Sequence, residues 1–314
     1  MKVLITGGAG FIGSHLADKL LEREDEVLVI DNFATGRKEN LSSHDNLQLV
    51  EGSIADRDLV YSLFERFKPE VVVHTAASYK DPDNWEEDVK TNTLGGAIIA
   101  QASLKYNIKR LIYYQTALCY GVKPLEQPIT LNHPLRPLES SYAISKTAAE
   151  HYIALSGVNF ISFRLANVYG PRNLSGPIPT FFKRLSAGQK CFVMDTRRDF
   201  VYIDDLIDIS IRAIDGEGKS GYYHVSSGRD YSIKELFDCV VEAMGIKLNE
   251  EVEVRPRNPD DAYTILLDPS ETEKEFNWRP KVPLKEGIGK AIEWYKIHGV
   301  PGTYTHLRLS EEKK

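Results

Sequence analysis

Residues 2–13 read Lys2-Val-Leu-Ile-Thr-Gly7-Gly8-Ala9-Gly10-Phe11-Ile12-Gly13, and residues 27–32 read Val27-Leu-Val-Ile-Asp31-Asn32. The apolar run 3–6 stops in a cluster of glycines. The cluster opens into a stretch, 11–24, that places Ile12, Leu16, Leu20 and Leu21 on one helical face. A short apolar run without alternation is the pattern of a strand buried on both sides, and a period near 3.6 is that of a helix. The spacing predicts a strand, a tight turn, a helix and a second strand. Glycines at 7, 10 and 13 suit a turn that lets a pyrophosphate approach the backbone at a helix N-terminus. Glycines punctuate many loops, so it is the strand before and the helix after that favour a dinucleotide site. Asp31 ends the second strand some twenty residues on, where a carboxylate is expected to accept from the adenosine ribose hydroxyls. It would repel a 2′-phosphate, which favours NAD over NADP, although Arg37 and Lys38 lie nearby.

Outward from this unit the alternation continues. Apolar runs at 47–50, 71–73, 110–114 and 160–163 predict strands, and stretches at 59–67, 84–106 and 141–156 predict helices. Continuous apolar strands separated by helices indicate a parallel sheet covered on both faces, hence a doubly wound α/β (Rossmann) domain. After Gly170-Pro171-Arg172 the pattern changes, with Pro171, Gly176, Pro177 and Pro179 close together. A helix at 203–214, a strand at 222–225 and a helix at 233–244 follow. We read an NAD-binding domain over 1–170, with segments near 199–228 returning to it. A smaller, discontinuous C-terminal domain over 171–314 is expected to hold the substrate, and 310–314 to form a solvated tail.

The chain has 314 residues, 42% hydrophobic and 27% charged, with a net charge of -6. That balance speaks against a broad basic surface for nucleic acid. Cys119, Cys191 and Cys239 are far apart and form no Cys-x-x-Cys pair, so neither a disulfide framework nor a metal site is expected. No apolar stretch approaches the length of a membrane span, and the glycine-broken N-terminus is not a signal peptide. A cytoplasmic protein is expected.

Tyr142-Ala-Ile-Ser-Lys146 places a phenol and an ammonium at i and i+4 on a predicted helix, on one face. A free tyrosine has a pKa near 10, and a neighbouring ammonium favours its phenolate. Tyr-x-x-x-Lys also arises by chance as a surface pair. Here, however, Thr116 ends the fifth predicted strand, at the crevice where such sheets bind ligands.

With these residues together the chain resembles the extended short-chain dehydrogenase/reductases that act as nucleotide-sugar epimerases and dehydratases. It is particularly similar to the UDP-sugar 4-epimerases and to epimerases of bacterial surface-polysaccharide clusters. The matching residues are Gly7, Gly10 and Gly13, Asp31-Asn32, His74-Thr-Ala-Ala77, Asn92, Thr116 with Tyr120-Gly121, Tyr142 and Lys146. Further on they are Arg164-x-x-Asn167-Val-Tyr-Gly-Pro-Arg172, Arg198-Asp-Phe-Val-Tyr-Ile-Asp-Asp205, Arg257-x-x-Asp260 and Asn277-Trp278-x-Pro280, in order along roughly 2–295.

The resemblance implies catalysis by Thr116, Tyr142 and Lys146. It implies NAD held by Gly7, Gly10, Phe11, Ile12, Gly13, Asp31, Asn32, Gly36, Ser53, Ile54, Thr75, Ala76, Ala77, Asn92, Tyr142 and Lys146. A nucleoside-diphosphate sugar would be met by Lys80, Thr116, Asn167, Arg172, Arg198 and Arg257. Lys146 is expected to lower the Tyr142 pKa. His74 and Cys119 are read as structural.

Two departures stand out: Ser53-Ile54 where the family has Asp-Ile, and Met194-Asp-Thr-Arg197 in place of a glycine-rich stretch. Dehydratases of the family carry Asp-Glu after the active-site Thr, and decarboxylases carry a Glu in that stretch; this chain has Ala117-Leu118. The resemblance therefore favours 4-epimerisation through a transient 4-ketone. Dehydration, decarboxylation, reduction and a non-catalytic NAD-binding role are the alternatives. It also implies a homodimer through the helices at 84–106 and 141–156.

Overall fold

The computed structural model describes residues 1–257 and 261–304. Seven apolar runs form one parallel sheet: β1 (Lys2–Thr6), β2 (Glu26–Asp31), β3 (Leu47–Glu51), β4 (Val71–His74), β5 (Arg110–Thr116), β6 (Phe160–Leu165) and, from late in the chain, β10 (Gly221–Val225). Their order is β3-β2-β1-β4-β5-β6-β10. The chain thus steps outward from β1 to β3, then crosses back to β4 on the other side of β1. Such a reversal leaves a crevice at the carboxyl ends of the strands.

Successive residues of a strand face opposite ways, and two cores result. Val3 and Ile5 look toward α1 (Phe11–Leu21) and α7 (Ile203–Ile214). Leu4 looks toward α2 (Arg57–Phe67), α4 (Gly96–Lys105) and α5 (Ser141–Ser156). The first core continues without a break into α6 (Pro177–Ser186), α8 (Ile233–Met244) and α10 (Leu284–His298), through Phe181, Phe237 and Ile292. A further short helix, α9 (Ser270–Phe276), adds Phe276 to it. Burying each of these side chains is worth about 1.5–3 kcal/mol.

The second half also carries two small sheets. One orders β11 (Asp230–Ser232), β9 (Arg197–Tyr202) and β7 (Asn167–Tyr169). The other pairs β12 (Glu253–Arg255) with β8 (Phe192–Met194). These three- to six-residue strands have too few alternations to be read from sequence.

Element ends follow local chemistry. α2 begins two residues earlier than its apolar periodicity suggests, because the Asp56 carboxylate accepts from the Leu59 amide at 3.1 Å. The continuous helix predicted over 84–106 is broken into three pieces. α3 (Trp85–Glu87) is capped by the Asn84 side chain; a π-helical stretch, Asp88–Gly95, follows, and only then α4. Hydrophobic spacing does not report a π insertion, which widens the helix locally and is frequent at functional sites. Among the described residues no helix is long and apolar enough to cross a membrane, and no group of three metal-ligating side chains is gathered.

Candidate active site

A cavity of about 670 Å³ opens at the carboxyl ends of the sheet strands. Its floor is the glycine turn. Gly7 holds φ +68°, and a Cβ there would lie 2.7 Å from the Ala76 Cα. A Cβ on Gly13 would lie 2.5 Å from the Gly7 carbonyl oxygen and 2.6 Å from the Gly8 Cα. These two positions therefore exclude side chains on steric grounds, and they bring the start of α1 down onto β1. Gly10 caps α1 without a side chain, so the first helical amides remain available to an anion. Gly7, Gly10, Phe11 and Ile12 line the cavity, whereas Gly13 serves the packing beneath it.

Asp31 is buried at the end of β2. Its carboxylate accepts from the Ala9 amide at 2.9 Å and the Phe33 amide at 2.8 Å, while burial pushes its pKa up and those two bonds pull it down. Asn32, Gly36, Ser53, Ile54, Thr75, Ala76 and Ala77 line the same end of the cavity. A Cβ on Gly36 would meet the Asp31 carboxylate at 2.7 Å. Ser53 accepts from the Ala55 amide, closing its own turn. Arg37 and Lys38 do not line the cavity; they face Glu39 at 4.0 Å and Glu51 at 3.3 Å. This cradle fits an elongated dinucleotide: a side-chain-free turn, a helix N-terminus and a carboxylate at the far end.

Thr116, Tyr142 and Lys146 also line this cavity. Thr116 ends β5, and its backbone amide is held by the Gln115 Oε1 at 2.8 Å. Ser140 caps α5, which sets Tyr142 in the first turn and Lys146 one turn later. The Tyr113 hydroxyl donates to the Lys146 carbonyl at 2.9 Å, and the Lys146 ammonium lies 4.1 Å from the Tyr113 ring centre.

The electrostatics differ from the sequence expectation. Burial, with Tyr79 and Asp88 nearby, pushes the Tyr142 phenol up, well away from neutrality. Burial pulls the Lys146 ammonium down to about 7, against the opposing Glu150 carboxylate one turn along. Low dielectric acts on both partners and favours the neutral form of each.

Asn92 does not line the cavity. It is buried in the π-helical stretch, where its amide oxygen accepts from the Ser78 amide at 2.7 Å. Its nitrogen donates to the Ser78 carbonyl and the Ser145 hydroxyl, both at 3.0 Å. It ties the loop after β4 to the helix bearing Tyr142 and Lys146, so it acts on the site through other residues. His74, at the end of β4, bonds Thr6 through Nδ1 at 2.7 Å; burial, then the Lys146 charge, lowers its pKa to about 3. Cys119 is fully buried in the core.

The expected substrate residues divide. Lys80 and Asn167 line the cavity. Arg172 does not: it adopts φ +65°, bonds the Ser14 hydroxyl at 3.1 Å and pairs with Asp18 on α1 at 2.7 Å. Arg198 and Arg257 also lie off this cavity, but they converge on one residue. The Arg198 guanidinium pairs with the Asp261 carboxylate at 2.6 Å, and Arg257 donates to the Asp261 carbonyl at 2.9 Å. Asp260 lies outside the described residues. Sequence reasoning missed Thr35, Glu87, Thr91, Ile178 and Phe200 as cavity residues. Thr91 was findable only by knowing that the helix around it is not a regular one.

Comparison with known proteins agrees with this geometry. Residues 3–226 match the NAD dependent epimerase/dehydratase family. A UDP-glucose 4-epimerase of Mycolicibacterium smegmatis is 32% identical over 315 residues, covering 94% of this chain and 99% of that protein. The Bordetella bronchiseptica enzyme WbmH, solved in complex with NAD+, is similar at TM-score 0.93 and 56% identity, covering 96% of this chain and 100% of that one. WbmG of the same organism, solved with NAD and UDP, is similar at TM-score 0.91 and 47% identity, covering 99% of both chains. The chain belongs to the NAD dependent epimerase/dehydratase family.

Proposed function

We propose that this protein is an NAD-dependent 4-epimerase of a nucleoside-diphosphate sugar, with UDP as the nucleotide. The observation that carries the reading is a juxtaposition: Thr116, Tyr142 and Lys146 share one cavity with the glycine turn and Asp31, and the residues after Thr116 are Ala117 and Leu118. Both pack beside Cys119, Ile129 and Ala262 in a small apolar cluster, so that stretch offers neither acid nor base for loss of water or carbon dioxide.

NAD+, when bound in this cavity, would supply the hydride acceptor for C4 and a positive charge. That charge and the Lys146 ammonium oppose the burial that keeps Tyr142 neutral. Tyr142 takes the proton of the sugar 4-hydroxyl, with Thr116 bridging to the same oxygen. Oxidation at C4 leaves a 4-ketone. Reduction from the opposite face, with Tyr142 returning its proton, yields the 4-epimer without net redox change.

Residues 1–170, with the return near 199–228, hold the cofactor in this reading, and 171–314 mainly hold the nucleotide sugar. Asn167 and Lys80 meet the sugar phosphate. Arg198 and Arg257 grip the diphosphate, which takes the place of the Asp261 carboxylate. Planar guanidinium donors match phosphate oxygens in pairs. UDP in the WbmG structure supports the choice of nucleotide.

An exposed apolar stripe runs over Trp85 (60% exposed), Val89, Leu94 and Leu104, and over Ile144, Tyr152 and Leu155 (79%) of the adjacent α5. Contiguous exposed apolar surface marks an interaction site, and a homodimer through it is proposed. Leu155→Glu is then expected to halve the mass in solution. Free thiols at all three cysteines are in keeping with the cytoplasm.

The deciding experiment incubates the protein with UDP-glucose, UDP-N-acetylglucosamine and their uronic acids in heavy water, read by NMR and mass spectrometry. The expected product has the mass of its substrate, inverted configuration at C4 and no carbon-bound deuterium. Loss of one water or one carbon dioxide, or deuterium at C5, would overturn the epimerase reading.

A further inference from the structure

Glu150 lies one turn beyond Lys146 on α5, and both side chains are buried. Residues four apart on a helix share a face. The Glu150 carboxylate accepts from two nitrogens of the Arg164 guanidinium, Nε at 3.1 Å and Nη2 at 2.8 Å, and from the Ser162 hydroxyl at 2.5 Å. Arg164 and Ser162 belong to β6, whose register sets Arg164 between Gln115 of β5 and His224 of β10. The remaining arm of Arg164, Nη1, donates to the Tyr120 hydroxyl at 2.7 Å, which donates in turn to His224 Nε2 at 2.6 Å.

Tyr120 ends the short helical turn Ala117–Tyr120, and Thr116 begins it: the Thr116 hydroxyl caps the turn by accepting from the Leu118 amide at 3.2 Å. Hydrogen bonds therefore run from the helix that carries Tyr142 and Lys146, through Arg164, to the turn that Thr116 caps. Glu150, Arg164 and Tyr120 are all buried, and none of them lines the cavity. A buried ion pair carries a desolvation cost, and apolar side chains of equal volume often stabilise as well or better. What this pair adds is direction and charge. A guanidinium bonded through two nitrogens fixes distance and angle together. Around pH 7 the other groups facing Lys146 are neutral. Burial keeps Tyr113 of β5, His74 of β4 and Tyr142 uncharged, with Tyr79 and Asp88 beside the Tyr142 phenol. Glu150 is the group that opposes the effect of burial on the Lys146 ammonium.

We propose that Glu150, Arg164 and Tyr120 are positioning residues for the reaction. They lock the Thr116 turn to the helix of Tyr142 and Lys146, and they set a fixed negative charge one turn from the Lys146 ammonium. This rests on the reading of Thr116, Tyr142 and Lys146 as the catalytic trio.

The test separates the lock from the charge. Lys146 is titrated by NMR in protein carrying carbon-13 at lysine Cε, its signal assigned by its loss in Lys146→Met. Glu150→Gln keeps the size of the side chain and removes its charge. It is expected to lower the Lys146 midpoint, about 7 in the parent, by about one pH unit. At pH 7 the charged fraction then drops from about half to about a tenth, and kcat with the UDP-sugar falls about fivefold. That loss shrinks as the pH is lowered and Lys146 recharges. Tyr120→Phe leaves both charges in place and deletes the bond to the turn. It is expected to leave the Lys146 midpoint unmoved and to lower kcat about fivefold at every pH, with little change in KM. Melting temperatures show whether each variant is folded. If the unpaired Arg164 unfolds Glu150→Gln, Tyr120→Phe still puts the proposal at risk. An unmoved Lys146 midpoint in folded Glu150→Gln overturns the role of the charge, and an unchanged kcat in Tyr120→Phe overturns the lock. A parent protein that epimerises no UDP-sugar overturns the epimerase reading instead, and the Lys146 midpoints still decide the role of Glu150.

Discussion

The glycine turn at the end of β1 and the arginine pair near Asp261 are both suited to anions, yet they are built in opposite ways. The turn presents backbone amides whose positions follow from three glycines and the helix they start, all within seven consecutive residues. Arg198 and Arg257 are 59 positions apart in the chain, counted as 257 minus 198. They meet only because β9 and the segment after β12 are brought to Asp261. A backbone site needs no rotamer to form. A side-chain site is a choice among partners, and here a carboxylate of the protein already holds one guanidinium. The first arrangement is preformed, whereas the second, if it meets the diphosphate as proposed, has to exchange partners on binding.

The largest effect is expected at the chemistry, assigned to the cavity above the glycine turn. Tyr142→Phe removes the proton acceptor while keeping the ring. Turnover is expected to fall on the order of a hundredfold or more, with NAD still bound, as measured by initial rates and cofactor content. A smaller loss would move the base elsewhere.

A middle-sized effect sharpens the partner exchange at Asp261. Arg198→Met is expected to raise KM for the UDP-sugar about tenfold with little change in kcat, the mark of lost ground-state binding. Asp261→Asn weakens the competing ion pair and is expected to lower KM. Opposite movements of the two variants would support displacement of the carboxylate by the diphosphate. Movement in the same direction would show that Asp261 positions Arg198 instead of competing for it.

The smallest effect asks whether the two regions share one stability. His74 lies under the glycine-turn end of the sheet, and His224 in β10, the strand that the second half contributes. His224 accepts from the Tyr120 hydroxyl at 2.6 Å through Nε2 and meets the Asp268 carbonyl at 2.9 Å through Nδ1, as a neutral imidazole does. Burial lowers the two pKa values to about 3 and about 4, from an ordinary 6.5. The unfolded chain therefore takes up protons as pH falls below 6.5, while the folded protein does not. Stability from these groups is complete above pH 6.5 and declines toward pH 4, by roughly 1 kcal/mol per pH unit for each histidine. Urea midpoints between pH 7 and 5 should fall accordingly. His74→Gln and His224→Gln should each flatten the curve, by similar amounts if the regions unfold together.

Much of the cavity was legible in the sequence because its residues are local to the elements that carry them. Gly7, Gly10 and Asp31 stand where one strand ends or one helix begins, and Tyr142 and Lys146 are one turn apart on one helix. Thr116 stands at the end of an apolar run. All of these line the cavity. Asn92 reads as a cofactor ligand but braces Ser78 and Ser145, because a π-helical insertion turns it inward. Arg172 reads as a substrate contact but pairs with Asp18 of α1. In both cases the residue type predicts what the side chain can bond, and long-range packing selects the partner.

The alternating strands and helices of the main sheet and the backbone cradle are legible in the sequence, since they depend on periodicity or on spacings of a few residues, and the family resemblance singles out Thr116, Tyr142 and Lys146. The sequence also ruled out an acid or base after Thr116, through the identity of Ala117 and Leu118. Only the tertiary structure decided where long side chains go, and that burial opposes the ionised forms of Tyr142 and Lys146. Only it placed Tyr304 beside Lys80, more than two hundred positions away by sequence number. Periodicity and spacing act over a few bonds of the chain. Ion pairs, dielectric surroundings and ring contacts depend on atoms that meet only after the chain has closed on itself.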